Sequence, residues 1–342
     1  MRRSTRLGFA AVVVLLVLSG VYTVYWWIVA GRIEDGAIAW QQSSQTHKID
    51  ASWQTLRVGG FPFHFRVELE DVTVRDRALS PAPELRLPVL TGSARSWNFG
   101  VWRIEAQEGL AAGLAAAGRR PPLKLAAQTA QGAVALGPEG ATLLWLNFRD
   151  INAEVGGEVP IKAADAWISL PANPPQTHTE PSLRLALDLR EVHLAAPPPS
   201  FSDTIDDLAF GVTIQGAVPG GPLVQAIAAW RDAGGTIELD HLQLNWGGLG
   251  ATATGTLALD QDLQPIAAFS GGIEGFGTII SALVEAGRLN TTEAALAQIA
   301  LSALAKPGPD GKPQITTSFT LQNGKMYLGP AKLGDAPRIV WR

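Results

Sequence analysis

Apolar and polar residues alternate with period two along much of this chain, and the alternation slips at polar pairs. Phe65, Val67 and Leu69 alternate with Arg66, Glu68 and Glu70, then resume out of phase after Asp71 at Val72 and Val74. Leu185, Leu187 and Leu189 slip across Arg190-Glu191 to Val192 and Leu194. Ile237 and Leu239 slip across Asp240-His241 to Leu242, Leu244 and Trp246. A shorter copy runs from Ile205 across Asp206-Asp207 to Leu208, Phe210, Val212 and Ile214. Period two is the mark of a strand with one apolar face. A one-residue slip turns that face over unless a β-bulge or a local bend takes up the extra residue. The pattern therefore predicts long, bent, antiparallel strands. Ser80-Pro81-Ala82-Pro83 and Pro197-Pro198-Pro199 end the first two, because proline has no amide donor for a ladder. The irregular spacing of the copies argues against a solenoid.

Further strands are expected over 51–58, 84–90, 95–104, 123–135, 141–155, 161–170, 251–259 and 315–328. Helical spacing marks 221–233 (Leu223, Ile227, Trp230) and 277–287 (Ile279, Ile280, Leu283, Val284). A third helix over 291–305 starts at Asn290 with Glu293 three places on, the arrangement of a capping box, and Lys306-Pro307-Gly308 stops it.

The N-terminus carries a different pattern. Residues 8–31 contain no charge, enough at about 1.5 Å per residue to cross a hydrocarbon core roughly 30 Å thick. Arg2, Arg3 and Arg6 precede it, which keeps the N-terminus in the cytoplasm. Tyr22, Tyr25, Trp26 and Trp27 lie near the far end, at the depth amphipathic rings prefer. A cleaved signal peptide is the competing reading. The apolar run exceeds the usual h-region of about 7–15 residues, and no clear A-x-A site follows. After it, Ile33, Ala37, Ile38 and Trp40 fall roughly on one helical side, as a stalk or as a helix packed on the body. The expected organisation is a basic tail (1–7), an anchor (8–30), a helical stalk (31–48) and a β-rich body outside the cytoplasm (49–342). A break is expected within the loop 171–181. The fold class is α+β, mainly β: a transmembrane helix, then a long curved antiparallel sheet, an open trough or incomplete barrel, with a few packed helices.

Composition narrows function mostly by exclusion. With 46 % hydrophobic and 17 % charged residues the chain is not disordered. The net charge of -4 hides an asymmetry: without Arg2, Arg3, Arg6 and Arg32, 23 basic residues face 31 acidic ones. An outer part at -8 lacks the basic face of a nucleic-acid binder. Zero cysteines exclude disulfides, thiolate metal sites and a cysteine nucleophile. His47, His64, His178, His193 and His241 form no H-E-x-x-H, and no serine sits in G-x-S-x-G. Gly247-Gly248-Leu249-Gly250 lacks a following lysine and reads as a turn. Glu68 with Glu70-Asp71, and Asp206-Asp207, have the oxygen chemistry for calcium but read better as solvated strand edges. The expectation is a non-catalytic protein with no cofactor and no metal.

What remains is apolar surface. Phe61, Phe63 and Phe65 are expected on one side of one strand, continued by Val67 and Leu69. Leu185, Leu187, Leu189, Leu242, Leu244 and Trp246 extend the set on other strands. Two readings stand. Covered by helices and a second sheet, this face is a closed core, and the protein is a scaffold that docks an envelope partner. Curled and partly open, it is a trough for acyl chains, where each buried methylene contributes roughly 0.8 kcal/mol.

The sequence also resembles a family. Gly59-Gly60-Phe61-Pro62-Phe63 followed by FRVELEDVTV is similar to the family called domain of unknown function 2125. So are Gly255-Thr256-Leu257-Ala258-Leu259-Asp260, running through Gln264-Pro265 to Gly271-Gly272-Ile273-Glu274-Gly275, and the end, Leu321-Gln322-Asn323-Gly324-Lys325-Met326-Tyr327-Leu328-Gly329-Pro330 with Pro337 after it. The resemblance implies a Gram-negative envelope protein, anchored once in the inner membrane, with its body in the periplasm. The strand pattern more loosely resembles AsmA-like proteins, which implies lipid transport and outer-membrane maintenance. Neither resemblance supplies catalytic residues.

Overall fold

The computed structural model describes residues 2–341 except 47, 79–80, 117–120, 138–139, 309–310 and 330, so His47, Ser80 and Pro330 lie outside the described residues. The chain divides into two compact units, Met1–Val134 and Ala135–Arg342. Among the described residues there are eighteen strands and four helices, and the recorded strand pairs run antiparallel.

The first unit begins with one continuous helix, α1 (Arg2–Thr46), long and apolar enough to cross a membrane. Its second half lies on the unit's strands. Trp26, Ala30 and Ile33 pack with Phe65, Val58 and Phe99. Further along, Ala37 and Gln41 are half-buried and Ser44 is buried, continuing the same spacing of three and four residues. Gln41 donates to the Ala51 carbonyl. Of the two forms expected for residues 31–48, the packed helix is found. Its seam is not the expected one, since Ile38 and Trp40 point outward.

The strands follow as β1 (Ile49–Ser52), β2 (Thr55–Gly59), β3 (His64–Asp76), β4 (Pro83–Arg95), β5 (Asn98–Ala106), β6 (Leu110–Leu114) and β7 (Leu123–Leu136), the last crossing the division. β1 and β2 lie end to end along one edge of β3. β5 and β6 lie end to end along the far edge of β4. The breaks between them line up with Asp71, which has φ 51°, and with Pro88 opposite. This crease is the expected phase slip. The register of β3 on β4 does not shift across it, so no residue is extruded. Instead one left-handed residue turns the face: Leu69 pairs with Leu90 before the crease, and Val72 with Leu87 and Val74 with Leu85 after it. All six pack in one cluster with Trp53 and Ala106.

The second unit is a meander of β8 (Thr142–Val155), β9 (Glu158–Leu170), β10 (Pro181–His193) and β11 (Thr204–Gln215), then α2 (Leu223–Asp232), β12 (Thr236–Trp246), β13 (Leu249–Leu259) and β14 (Pro265–Glu274). It continues with α3 (Phe276–Glu285), α4 (Thr291–Leu304), β15 (Lys306–Pro307), β16 (Pro313–Gln322), β17 (Lys325–Leu328) and β18 (Ala331–Asp335). The loop 171–181 is not a break in it: β9 and β10 pair on either side, Arg184 opposite Ser169, so the loop is a hairpin connection. A second crease crosses this unit. Asp150 and Glu191, both at φ 49°, flank Lys162 on β9, again with no shift of register. On β12 the slip is a true bulge, because the register on both neighbours shifts at Asp240-His241. α4 opens with the full Asn290–Glu293 capping box and ends before Lys306, as expected. Asn323-Gly324 splits the expected strand 315–328 into β16 and β17.

Candidate functional site

In the second unit the register joins the apolar positions into rows, since cross-strand partners share a face. Leu187 lies between Ala166 and Phe210, and the row extends to Leu146 on one side and through Leu242 to Ala253 on the other. The Leu185 row holds Leu144, Ile168, Val212 and Leu239. The Leu189 row holds Phe148, Ala164, Leu208, Leu244, Ala251, Ile273 and Ile315. Leu185, Leu187, Leu189, Leu242 and Leu244 are thus brought onto one continuous face, each half-buried. Trp246 shares that face but closes its end: its ring lies 4.3 Å from Phe201 and its indole N–H donates to the Ser202 carbonyl at 2.8 Å.

At the opposite end of these strands the next row, Ile214, Ile237 and Leu257, floors a cavity of about 310 Å³. α2 supplies Ile227 and Trp230, and the chain end supplies Ile339 and Trp341, with Val218, Leu259 and Pro265 completing the wall. Every residue of that lining is apolar or a tryptophan. Both indole N–H groups are bonded away from the cavity, Trp230 to the Gln215 carbonyl at 2.7 Å and Trp341 to the Leu263 carbonyl at 2.8 Å. Gln264 exchanges two hydrogen bonds with the Ile339 backbone and pins the C-terminal segment in place. Sequence reasoning placed Ile227 and Trp230 on a helix but missed Ile339 and Trp341. The available signal was the apolar Ile339-Val340-Trp341 run after Pro337.

The expected lining residues of the first unit are placed within that unit as follows. Phe61 and Phe63 do not share a strand with Phe65, because residues 61–63 form the turn between β2 and β3. Pro62 has no donor for a ladder. Gly60, at φ 98°, turns the chain where a Cβ would sit 2.7 Å from the His64 carbonyl oxygen. Phe65 is 0 % exposed and stacks on Trp26, centroids 5.1 Å apart, so it is a core residue. Val67 and Leu69 are half-buried, and Leu69 belongs to the crease cluster.

Several of the polar groups singled out in the sequence have partners close by. Arg57 bridges Glu68 and Glu70. The Thr55 hydroxyl, at 2.6 Å, and Arg57 hold the Glu70 carboxyl below the usual range. Asp206 accepts from the Gly247 amide at 3.1 Å, within the turn expected there. Lys162 donates to Asp150 at 3.0 Å, and that bond raises its pKa. Asp165, buried, accepts from Asn147 at 2.7 Å and Arg190 at 2.5 Å, on the side of the sheet opposite Ala166. A second cavity, about 470 Å³, is of mixed character and lies where Gly247–Gly250 meet Glu274, Gln298 and Lys312. Among the described residues no group of three or more His, Asp or Glu is arranged to hold a metal ion.

One family matches the chain: that described as an uncharacterized protein conserved in bacteria (DUF2125), over residues 26–337. No curated protein matches, and no solved structure matches.

Proposed function

The chain belongs to the DUF2125 family of uncharacterized bacterial proteins, and we propose that it is a membrane-anchored, non-catalytic envelope protein that binds or passes acyl lipid along the apolar face of its second unit. The observation that carries this reading is the continuity of that face. Apolar rows from β8 to β16 run together and end in a cavity whose lining presents no free polar group. A face this wide has no charge to recognise a headgroup, so its affinity comes from methylenes leaving water, roughly 0.8 kcal/mol each. Ligands of this kind enter from a bilayer, and the chain carries its own long apolar helix. Arg2, Arg3 and Arg6 ahead of its uncharged stretch favour a cytoplasmic N-terminus and a periplasmic body at the inner membrane. The looser likeness of strand pattern to AsmA-like proteins points the same way.

The test is native mass spectrometry and lipid extraction on the full chain in mild detergent. The expected result is acyl lipid at a stoichiometric level in the parent. It is lost when Leu187→Asp interrupts the central row or Ile227→Arg fills the cavity, with circular dichroism unchanged. A parent that carries no lipid over repeated preparations ends the proposal. A second reading, a scaffold for an envelope partner, is favoured by one observation: α4 leaves Leu296, Ile299 and Leu304 exposed. Loss of a co-purifying protein on Ile299→Asp, with lipid absent from the parent, would select it.

A further inference from the structure

We infer that the β2–β3 turn and the Ser96-Trp97 turn between β4 and β5 are seated in the membrane, below the headgroup layer on the side where the body lies. The inference rests on α1 crossing the bilayer and goes beyond the lipid-binding reading. Three observations carry it.

The first is depth. Counting from Gly8, Ile28 stands about 30 Å along the helix, the thickness of a hydrocarbon core, and Tyr22 about 21 Å. Tyr22 therefore lies within the apolar layer, roughly 9 Å short of its far boundary. The two turns are fastened at that level. The Tyr22 hydroxyl donates to the Pro62 carbonyl and is bonded to the Ser96 hydroxyl at 2.6 Å. Tyr25 donates to the Ser96 carbonyl, and the Trp26 indole to the His64 carbonyl, each at 3.2 Å.

The second is surface. Phe61, Phe63 and Trp97 are 50, 60 and 65 % exposed on these two turns, beside Trp27 at 67 % on the helix. Four large rings at one end of a unit are costly in water, and the hydrocarbon just under the headgroups takes them without that cost. Arg95 lies with its guanidinium 6.0 Å from the Trp97 ring centre, where its long stem can carry the charge back toward the phosphates.

The third is backbone chemistry. Irregular backbone enters hydrocarbon only if its polar groups are satisfied by protein. Here the Pro62, His64 and Ser96 carbonyls take the three anchor donors, the Phe63 carbonyl takes the Ser96 amide at 3.0 Å, and the Gly60 carbonyl takes the His64 amide at 3.0 Å. A turn meant for water has no need of donors from a transmembrane helix.

The chain has no cysteine, so single-cysteine variants carry no background. The experiment places a nitroxide at Phe63→Cys, Trp97→Cys, Val24→Cys and Glu108→Cys in the full chain, reconstituted in phosphatidylethanolamine–phosphatidylglycerol vesicles. Accessibility is read to oxygen and to a water-soluble nickel chelate. Val24 is the bilayer reference and Glu108, exposed beyond the far end of β5, the aqueous one. The expected result is a severalfold loss of nickel accessibility at 63 and 97 relative to 108, with oxygen accessibility near that at 24. Values at 63 and 97 equal to those at 108 overturn the inference while leaving the anchor and the lipid reading intact. An aqueous signal at 24 itself overturns the anchor and this inference with it.

Discussion

Glu191 is the residue where the sheet's design can be tested most directly. It stands at φ 49° near the C-terminal end of β10, two residues before its last, a conformation that costs a residue with a Cβ roughly 1–2 kcal/mol. The left-handed turn there moves the apolar phase from Leu189 to Val192 while the pairing to β9 and β11 stays in step. Replacing Glu191 with Gly removes the steric cost but enlarges the freedom of the unfolded chain, so the net gain is about 0.5–1 kcal/mol. Replacing it with Val does the opposite, since a β-branched side chain is the least tolerant of positive φ. If position 191 relaxes to ordinary strand geometry instead, Val192, now buried, is turned out and loses about 1.5–3 kcal/mol of burial. Either route makes Glu191→Val less stable by about 2 kcal/mol, so Gly and Val differ by about 3 kcal/mol. Glu191→Gln keeps the conformation and drops only the charge near Lys162, and is expected within about 0.5 kcal/mol of the parent. The assay is equilibrium urea unfolding of the detergent-solubilised chain, followed by tryptophan fluorescence. In a unit of this size each kcal/mol also moves the melting temperature by about 2–4 °C. A Val variant as stable as the parent, or a Gly variant clearly less stable than the Gln control, would refute the reasoning that one left-handed residue keeps the face continuous.

Three further outcomes follow from the same geometry. Phe65→Ala removes a wholly buried ring from under Trp26 and is expected to cost about 3–5 kcal/mol, read as a lowered urea midpoint, with protease cutting between α1 and β1. Glu84 is held below the usual carboxyl range by its bonds to Arg75 and Arg86, so its contribution is complete above the unfolded value near 4.5 and fades as pH falls through the lower folded value. Glu84→Gln should accordingly lower stability slightly at neutral pH, leave the acid end nearly unchanged, and so flatten the acid limb of a stability–pH curve. Asp165→Ala strips the acceptor from Asn147 and Arg190 in a buried setting and should cost about 1–3 kcal/mol, while the paired change with Arg190→Met recovers part of it, measured as a double-mutant cycle.

Much of the strand architecture was legible because period two survives in the sequence wherever one face is buried. The polar pairs at Asp71, Arg190-Glu191 and Asp240-His241 marked where the strands bend, but not how. Of these three strands β12 alone extrudes a residue there; β3 and β10 use a left-handed residue in full register. The two solutions leave the same trace in sequence, an apolar run resumed one place late, and differ only in backbone angle. The aromatic stretch of α1 was legible from Tyr22 to Trp27, and its packing was not. A helix that lies on a sheet needs apolar or small residues every three or four places. Trp26, Ala30, Ile33, Ala37, Gln41 and Ser44 meet that need without the seam looking apolar at its far end.

The three phenylalanines of the first unit fell into different settings for a related reason. Phe61, Phe63 and Phe65 satisfy strand alternation, and alternation alone cannot distinguish a ring pointed into a trough from one pinned beneath a helix. Pro62 was the discriminating residue, because a ladder cannot pass through it; it turns the chain and gives the three rings separate environments, two exposed beside α1 and one wholly buried. In Leu185, Leu187 and Leu189 no such interruption exists, and the register carries them into one row system with Leu242 and Leu244. The cavity at the end of those rows depends on Ile339 and Trp341, about eighty residues after the strand edge they cover. Contacts of that separation have no local periodicity to betray them. The chain end is held by Gln264, whose bonds to Ile339 use backbone groups that every residue possesses. A Gln264→Ala variant should therefore loosen the wall of the cavity without altering its apolar surface. If acyl lipid enters there, lipid exchange should speed up while the amount bound at equilibrium falls only modestly, and an unchanged exchange rate would place the entry elsewhere on the face.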